Sequence, residues 1–397
     1  MQKIVNKRKI VFVCASLRVG GAEKSLVNLL NMIDHDKVDV SLLLLQSQGE
    51  FLKQVPEQVH RIELPPKAKQ LYGKSDISLL GFIMTVIKCL STVIETFRWK
   101  DYDVIRAHRW KDVYSKICEP LDGRYDDVIA FQSGDSTYYS FDNIKASRYV
   151  TYFHTDISNI AVDKSCEEKY LSKADRIVTI SEKCVESIQL RFPEYADKTV
   201  CMGNLSSSVL IQKLAGNSIP NEYVNEKGKM IILSVGRLVR IKGFDMAVHA
   251  ARILKDREVK FLWFIIGEGE EKKRLIRQIK EEGVEDCVRL LGLKTNPYPY
   301  MKFSGLIVQS SRYEGKSVVL DEAKILRKPV VVTNYNSVED QIQEGVDGLI
   351  CDMNGASIAN KIEEAISKMH QFRPHPLTEN VEDYMQMLLG DKESYEI

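Results

Sequence analysis

Short runs of β-branched and aliphatic residues recur along the whole chain, each followed by a helix-length segment of mixed polarity. They stand at 10–14, 38–45, 60–64, 102–107, 127–131, 149–153, 176–180 and 199–202, then at 230–235, 261–266, 288–291, 305–309, 329–333 and 348–351. Runs this apolar are buried on both faces, as parallel strands covered by helices are. The alternation predicts a doubly wound α/β architecture. Its extent over 397 residues is too great for one core and predicts two such domains. The boundary is expected in 206–228, a linker or hinge rich in Ser, Asn, Gly and charge, between an N-terminal domain 1–205 and a C-terminal domain 229–375. Residues 376–397 read as a terminal helix packing back on the first domain.

Composition narrows the function classes. A net charge of +1 gives no global attraction to nucleic acid. Eight cysteines lie scattered without a Cys-x-x-Cys pair and read as small, reduced core residues. The first apolar run is short and followed by a polar, Gly-rich segment, so it reads as a strand and not a secretory signal. A cytoplasmic location is the expectation.

The segment 77–97, ISLLGFIMTVIKCLSTVIETF, approaches the roughly 20 residues that span a bilayer. Lys88 and Glu95 interrupt it and would be costly at membrane depth. Basic residues surround it: Lys67, Lys69, Lys74, Arg98, Lys100, Arg106, Arg109, Lys111 and Lys116, with acidic residues interleaved. Two readings stand, a core helix with a solvated flank, or a peripheral docking face for anionic lipid on the inner side of a membrane.

The sharpest cluster of chemistry runs from Ser311 to Ala323, SRYEGKSVVLDEA. A strand ends, a loop follows and a helix opens near Ser317. Ligands of open α/β sheets bind outside the carboxyl ends of strands, and a helix N-terminus offers free N–H donors to a pyrophosphate. Gly315 permits close backbone approach. Glu314 can accept hydrogen bonds from sugar hydroxyls, and Glu322, further along the helix, from a ribose diol. A second loop, SVGRLVRIKGFD, places Arg237, Arg240 and Lys242 after the first strand of the second domain. Two or more cations there would stabilise a departing diphosphate. Any single Lys or Arg is more often solvated surface charge; three cations and two glycines in one βα loop favour a site.

The first βα turn, Arg18-Val19-Gly20-Gly21-Ala22-Glu23, suits a close backbone approach to a ligand or a plain tight turn. No Gly-x-Gly-x-x-Gly fingerprint and no P-loop is present there. Ile266-Gly267-Glu268-Gly269 starts like a dinucleotide fingerprint, but the third glycine is missing and the glutamates would repel a pyrophosphate. His154 follows a strand, where an imidazole could bond a sugar hydroxyl or simply be structural, with Asp156 a candidate to orient it. No His/Cys/carboxylate cluster has metal-ligand spacing.

Taken in order, these segments resemble the retaining glycosyltransferase family four, of the GT-B fold. The resemblance covers nearly the whole chain. Its marks are Gly20-Gly21-Ala22-Glu23, His154-Thr155-Asp156, the run 174–181, Gly236-Arg237 with Lys242-Gly243, Gly267-Glu268-Gly269, Leu291-Gly292, Asn296-Pro297-Tyr298-Pro299-Tyr300 and the Glu314/Glu322 pair. It implies two Rossmann-like domains facing each other across a cleft. It implies that Arg237 and Lys242 hold the diphosphate, that Glu314 binds the donor sugar, and that amides from Gly315 through Lys316 and Ser317 to Val318 meet sugar and phosphate. Glu322 takes the ribose, Leu293 and Lys294 face the base, Gly21 borders the phosphates and acceptor, and His154 contacts the sugar. Such enzymes use a nucleotide sugar as substrate, need no cofactor or divalent metal, and retain anomeric configuration. The Asn-Pro-Tyr-Pro-Tyr run is similar to members that build bacterial capsule, exopolysaccharide or O-antigen on a lipid carrier. The implied activity is hexosyl transfer from a UDP-sugar to a lipid-linked or polymeric glycan. A non-catalytic nucleotide-sugar or glycan-binding partner and a GT-B epimerase are the competing classes. Lys316 and Ser317 depart from the family pattern, which commonly has a bulky apolar residue and then Pro or Gly.

Overall fold

The computed structural model describes residues 7–18, 20–73, 76–226, 228–375, 377 and 381–390. They form two compact units, one from the residues up to Leu205 with those from Asn380 on, the other from Ser206 to Glu379. Lys74, named above, and residues 1–6 lie outside the described set.

The first unit is built on a parallel sheet of seven strands: β1 (Arg8–Cys14), β2 (Val38–Leu44), β3 (His60–Ile62), β4 (Tyr125–Ala130), β5 (Ala146–Phe153), β6 (Arg176–Thr179) and β7 (Thr199–Cys201), in spatial order β3-β2-β1-β4-β5-β6-β7. The second holds six parallel strands: β8 (Met230–Val235), β9 (Phe261–Ile266), β10 (Val288–Gly292), β11 (Leu306–Gln309), β12 (Val330–Thr333) and β13 (Gly348–Cys351), in order β10-β9-β8-β11-β12-β13. Both are Rossmann-like doubly wound sheets, the fold class expected.

The absence of polar alternation has a direct cause. Val11 and Val13 of β1 join the core on one sheet face, while Ile10, Phe12 and Cys14 join the core on the other. In β9, Phe261, Trp263 and Ile265 face one core and Leu262, Phe264 and Ile266 the other. Side chains alternate across a strand, so burial on both faces demands a continuous apolar run.

The chain returns to the first unit through helix Val381–Leu389, which buries Tyr384, Met385, Leu388 and Leu389 with Ile10 and Phe12. The Tyr384 and Tyr152 hydroxyls lie 3.1 Å apart. Arg8 bonds both the buried carboxylate of Asp127, 2.9 Å, and the Leu389 carbonyl, 3.3 Å.

Two segments differ from expectation, and a third is open to two readings in the sequence. Residues 102–107 are not a strand; they open helix Tyr102–Asp112, which buries Ile105, Ala107 and Trp110. The run is short enough to fit either period, and packing on a single side decides for the helix. The proposed linker contains helix Ser208–Ala215, whose Ile211 and Ala215 are buried with Tyr298, Met301 and Leu320 of the second unit. Lastly, helix Leu79–Arg98 is not a core helix, because its apolar side faces outward.

Candidate functional site

In the second unit, the loop after β8 and the loop after β11 are locked together. Arg312 donates 2.8 and 2.7 Å bonds to the two carboxylate oxygens of Asp245 and a 2.8 Å bond to the Arg240 carbonyl. Its own amide donates to the Ile241 carbonyl at 2.7 Å, and the Ser310 hydroxyl donates to the Lys242 carbonyl at 3.0 Å. Gly243 sits at φ +63°, and a Cβ there would stand 2.0 Å from the Ser310 carbonyl oxygen. Only glycine permits both the left-handed backbone and this approach.

The lock brings Lys242 and Glu314 together. The Lys242 ammonium donates to Glu314 Oε1. The Ser311 hydroxyl and the Gln309 amide donate to the same oxygen, at 2.7 and 3.1 Å. Three donors on one oxygen hold the carboxylate in place, and none of them reaches Oε2. A small cavity opens beside it, lined by Val235, Lys242, Phe244, Ser310, Ser311 and Glu314. The Arg237 side chain is exposed and makes no hydrogen bond or ion pair with a described residue.

The Arg237 loop is carried by the apparent dinucleotide fingerprint. Leu238 N–H donates to the Glu268 carbonyl at 2.9 Å, and a Cβ on Gly267 or Gly269 would meet the carbonyls of Gly236 and Leu238 at 1.8 and 2.3 Å. The Gly-Glu-Gly run is therefore a seat for the neighbouring loop. Gly267 N–H in turn donates to the Gly292 carbonyl at 3.0 Å.

The helix opening after Ser317, Val318–Ile325, begins at this loop. Amides of its first turn have no acceptor inside the helix. Ser317 differs from the other amides assigned to sugar and phosphate. Its N–H is already given to Gln341 Oε1 at 2.7 Å, and its hydroxyl to Gln309 Oε1 at 2.6 Å. Gly315 is buried and Val318 opens the helix. Lys316 lies 3.6 Å from Asp321, a carboxylate whose pKa burial raises, so the extra cation is countered in place. Glu322 is buried and accepts from the Tyr298 hydroxyl at 3.1 Å. Leu293 is exposed. Lys294 is engaged elsewhere. It bonds Glu222 at 2.9 Å and lies over the Tyr300 ring, and bonds from Tyr300 and Glu222 raise its pKa.

The remaining candidates belong to the first unit. Gly21 is exposed and opens helix Gly21–Met32. The Glu23 carboxylate folds against the preceding Gly20 and accepts from Gln132 at 2.9 Å. Negative charge thus sits beside that turn. His154 follows β5, with its ring centroid 5.0 Å from Phe131 and 5.4 Å from Tyr152. Burial lowers its pKa to about 4, against contacts with the Phe131 backbone and Asn204. It is a neutral imidazole at physiological pH. Asp156 does not orient it through Oδ1. That oxygen accepts from Ser158 N–H and hydroxyl, at 2.9 and 2.7 Å, and caps the turn Ile157–Asn159.

Sequence reasoning missed Gln309, Ser337 and Gln341, and named Ser311 without giving it a role. Gln309 and Ser311 carried a signal, polar residues closing an apolar strand. Ser337 and Gln341 carried none, since only tertiary folding brings them to residues more than twenty positions away. The structure also draws His108, Asp163 and Cys166 together, without regular spacing. His108 bonds Asp163 at 2.9 Å, and burial raises the Cys166 thiol to about 11.

Residues 217–381 match the family described as Glycosyl transferases group 1, a match that falls almost wholly on the second unit. Over 81% of this chain and 80% of the relative, the sequence is 26% identical to the N-acetylgalactosamine-N,N'-diacetylbacillosaminyl-diphospho-undecaprenol 4-alpha-N-acetylgalactosaminyltransferase of Campylobacter jejuni. It is 30% identical to the poly(ribitol-phosphate) alpha-N-acetylglucosaminyltransferase of Staphylococcus aureus, over 38% of this chain and 30% of the relative. The matches span 41%, 30% and 55% of the length of the first curated relatives, less than two thirds in each. Among solved structures, Anabaena Alr3699/HepE in complex with UDP and glucose superposes with a TM-score of 0.64 at 18% identity, covering 92% of this chain and 91% of that one. That likeness is one of fold, two parallel-sheet domains of the GT-B kind.

Proposed function

We propose that the chain is a metal-independent, retaining glycosyltransferase that moves a hexosyl unit from a UDP-sugar to a hydroxyl of a lipid-linked or polymeric glycan, in the cytoplasm and for cell-surface polysaccharide synthesis. The observation that carries this reading is the Glu314 carboxylate. It is held at the carboxyl end of β11 by Lys242, Ser311 and Gln309, within the segment that matches Glycosyl transferases group 1. Support for the nucleotide and acceptor classes comes from the UDP-bound fold neighbour and from the diphospho-undecaprenol relative.

In this reading the bond between the anomeric carbon and the diphosphate oxygen breaks. Arg237 and Lys242 stabilise the charge that develops on the departing group. The acceptor oxygen bonds the anomeric carbon on the same face, and its proton passes to the departing oxygen. Glu314 accepts hydrogen bonds from the sugar, with Oε2 the oxygen left for it. Glu322 accepts from the ribose, and Leu293 borders the base. His154, being neutral, serves as a hydrogen-bonding group for carbohydrate and not as a cationic acid.

The test is release of nucleoside diphosphate from a panel of nucleotide sugars, read by mass spectrometry with and without glycan acceptors. Acceptor-dependent release, with the product anomer matching the donor, is expected. Binding without turnover on any acceptor would assign a binding module, and conversion of one nucleotide sugar into another an epimerase. A fully active Glu314→Gln protein would remove the mechanism.

A further inference from the structure

We propose that the outward face of helix Leu79–Arg98 is a docking surface for a bilayer rich in anionic lipid, on which the helix lies flat. The inference does not depend on the transferase reading.

The helix is amphipathic in the wrong sense for a soluble protein. Its inward side carries Gly81, Met84, Ser91 and Glu95, all buried. Its outward side carries Leu79, Phe82, Leu90, Val93, Ile94 and Phe97, each more than half exposed, with Phe97 at 89%. With exposed Val86 between Phe82 and Leu90, these positions follow one another at spacings of three and four, so they form one stripe along the helix. A helix in water turns its polar stripe outward. This one needs an apolar partner, and so continuous an apolar patch marks an interaction site.

The polar groups on the helix are arranged for that partner. The hydroxyls of Thr85, Thr92 and Thr96 donate to the carbonyls four residues back, at 2.8, 2.7 and 2.7 Å. No exposed hydroxyl on the stripe depends on water for its bond. The helix holds 20 residues, with a mean hydropathy of 1.7 over its most apolar stretch. That is long and apolar enough to cross a membrane, about 30 Å. Crossing is opposed by its other side, where Met84 joins the core and buried Glu95 pairs with Arg98 at 3.3 Å. A helix anchored along one side and bare along the other lies in the plane of the interface.

Charge selects the lipid. Residues 77–116 carry seven Lys and Arg against four Asp and Glu. Lys100, Lys111 and Lys116 are exposed and have no ion pair among the described residues. Trp99 and Tyr102, both exposed, follow the helix, where aromatic residues favour the level of lipid headgroups. A second copy of the chain would bring like charges together around the apolar stripe. Anionic headgroups complement stripe and flank alike.

The full chain is to be sedimented with vesicles of phosphatidylglycerol and phosphatidylcholine at low salt, beside vesicles of phosphatidylcholine alone. Retention on the anionic vesicles alone is expected. A Phe82→Gln, Leu90→Gln, Phe97→Gln triple variant should lose it, its partition coefficient falling roughly thousandfold or more, since each side chain contributes about a factor of ten or more. Unchanged thermal unfolding would show that the exposed substitutions leave the fold intact. Lys100→Glu, Lys111→Glu and Lys116→Glu together should weaken binding to anionic vesicles about hundredfold or more, at roughly 1 kcal/mol for each cation near the surface. Trp99 provides a second readout. Trp110 and Trp263 are 1% exposed, so a blue shift of emission on vesicle addition reports Trp99. The proposal is overturned if the wild-type chain stays in the supernatant, if both vesicle types bind equally, or if the triple variant instead abolishes a concentration-dependent dimer.

Discussion

The two parallel sheets end in the same kind of loop platform and furnish it oppositely. After β4 and β5 the first unit places a neutral imidazole packed against Phe131 and Tyr152. After β8 and β11 the second unit places a carboxylate and two cations, with each loop tied to its neighbour through Arg312, Asp245 and Ser310. The difference teaches what burial allows. A ring can be held by packing alone if it stays uncharged. A partly buried ion must be held by donors and by an opposite charge, and so by several chain segments at once. Charged chemistry therefore concentrates where the loops are best cross-linked.

The comparison can be broken most sharply at Glu314. Glu314→Gln keeps the shape and removes the charge, and turnover should fall by about a thousandfold, the scale of losing one strong electrostatic contact, with a lowered unfolding temperature because Lys242 loses its counter-charge. Lys242→Met should lower turnover by roughly a hundredfold on the same grounds. If the two residues act as one unit, the double variant will be no worse than Glu314→Gln, and a double-mutant cycle reads that coupling. Strict additivity would dissolve the unit.

The imidazole predicts a pH dependence of the opposite region. Its pKa is about 4 folded, against 6.5 unexposed, so between these values the unfolded chain binds the extra proton. Stability should therefore fall as pH drops from 6.5 towards 4, by on the order of 3 kcal/mol when integrated over the whole window. Chemical denaturation of wild type and His154→Gln across this range checks it, and parallel curves would sink the neutral-imidazole assignment.

Smaller effects sharpen the loop architecture. Gly243→Ala should destabilise by about 2 kcal/mol or more, from left-handed strain and the clash with Ser310, seen as a lowered unfolding temperature. Lys294→Ala should change the donor KM by no more than about fivefold, because its ammonium already belongs to Glu222 and Tyr300. A large rise would return Lys294 to the base pocket.

Much of the architecture was legible because periodicity is local. The two-faced burial of β1 and β9 is written in their apolar runs, and the Glu314, Arg237 and Lys242 loops follow from strand ends and glycines. The helix of 102–112 was misread because its opening run suits both periods. The helix of 79–98 stayed ambiguous because hydropathy counts apolar residues and not the side they face.

Residue order thus determined two doubly wound sheets and the loops that carry the ions, since strand, turn and helix preferences act over a few neighbours. Tertiary structure alone decided which partners those ions meet. Gln341 at Ser317 and Glu222 at Lys294 are choices of packing. So is the turning outward of the apolar side of the helix Leu79–Arg98. Hydrogen bonds and burial act through space between segments far apart in the chain, where no local pattern records them.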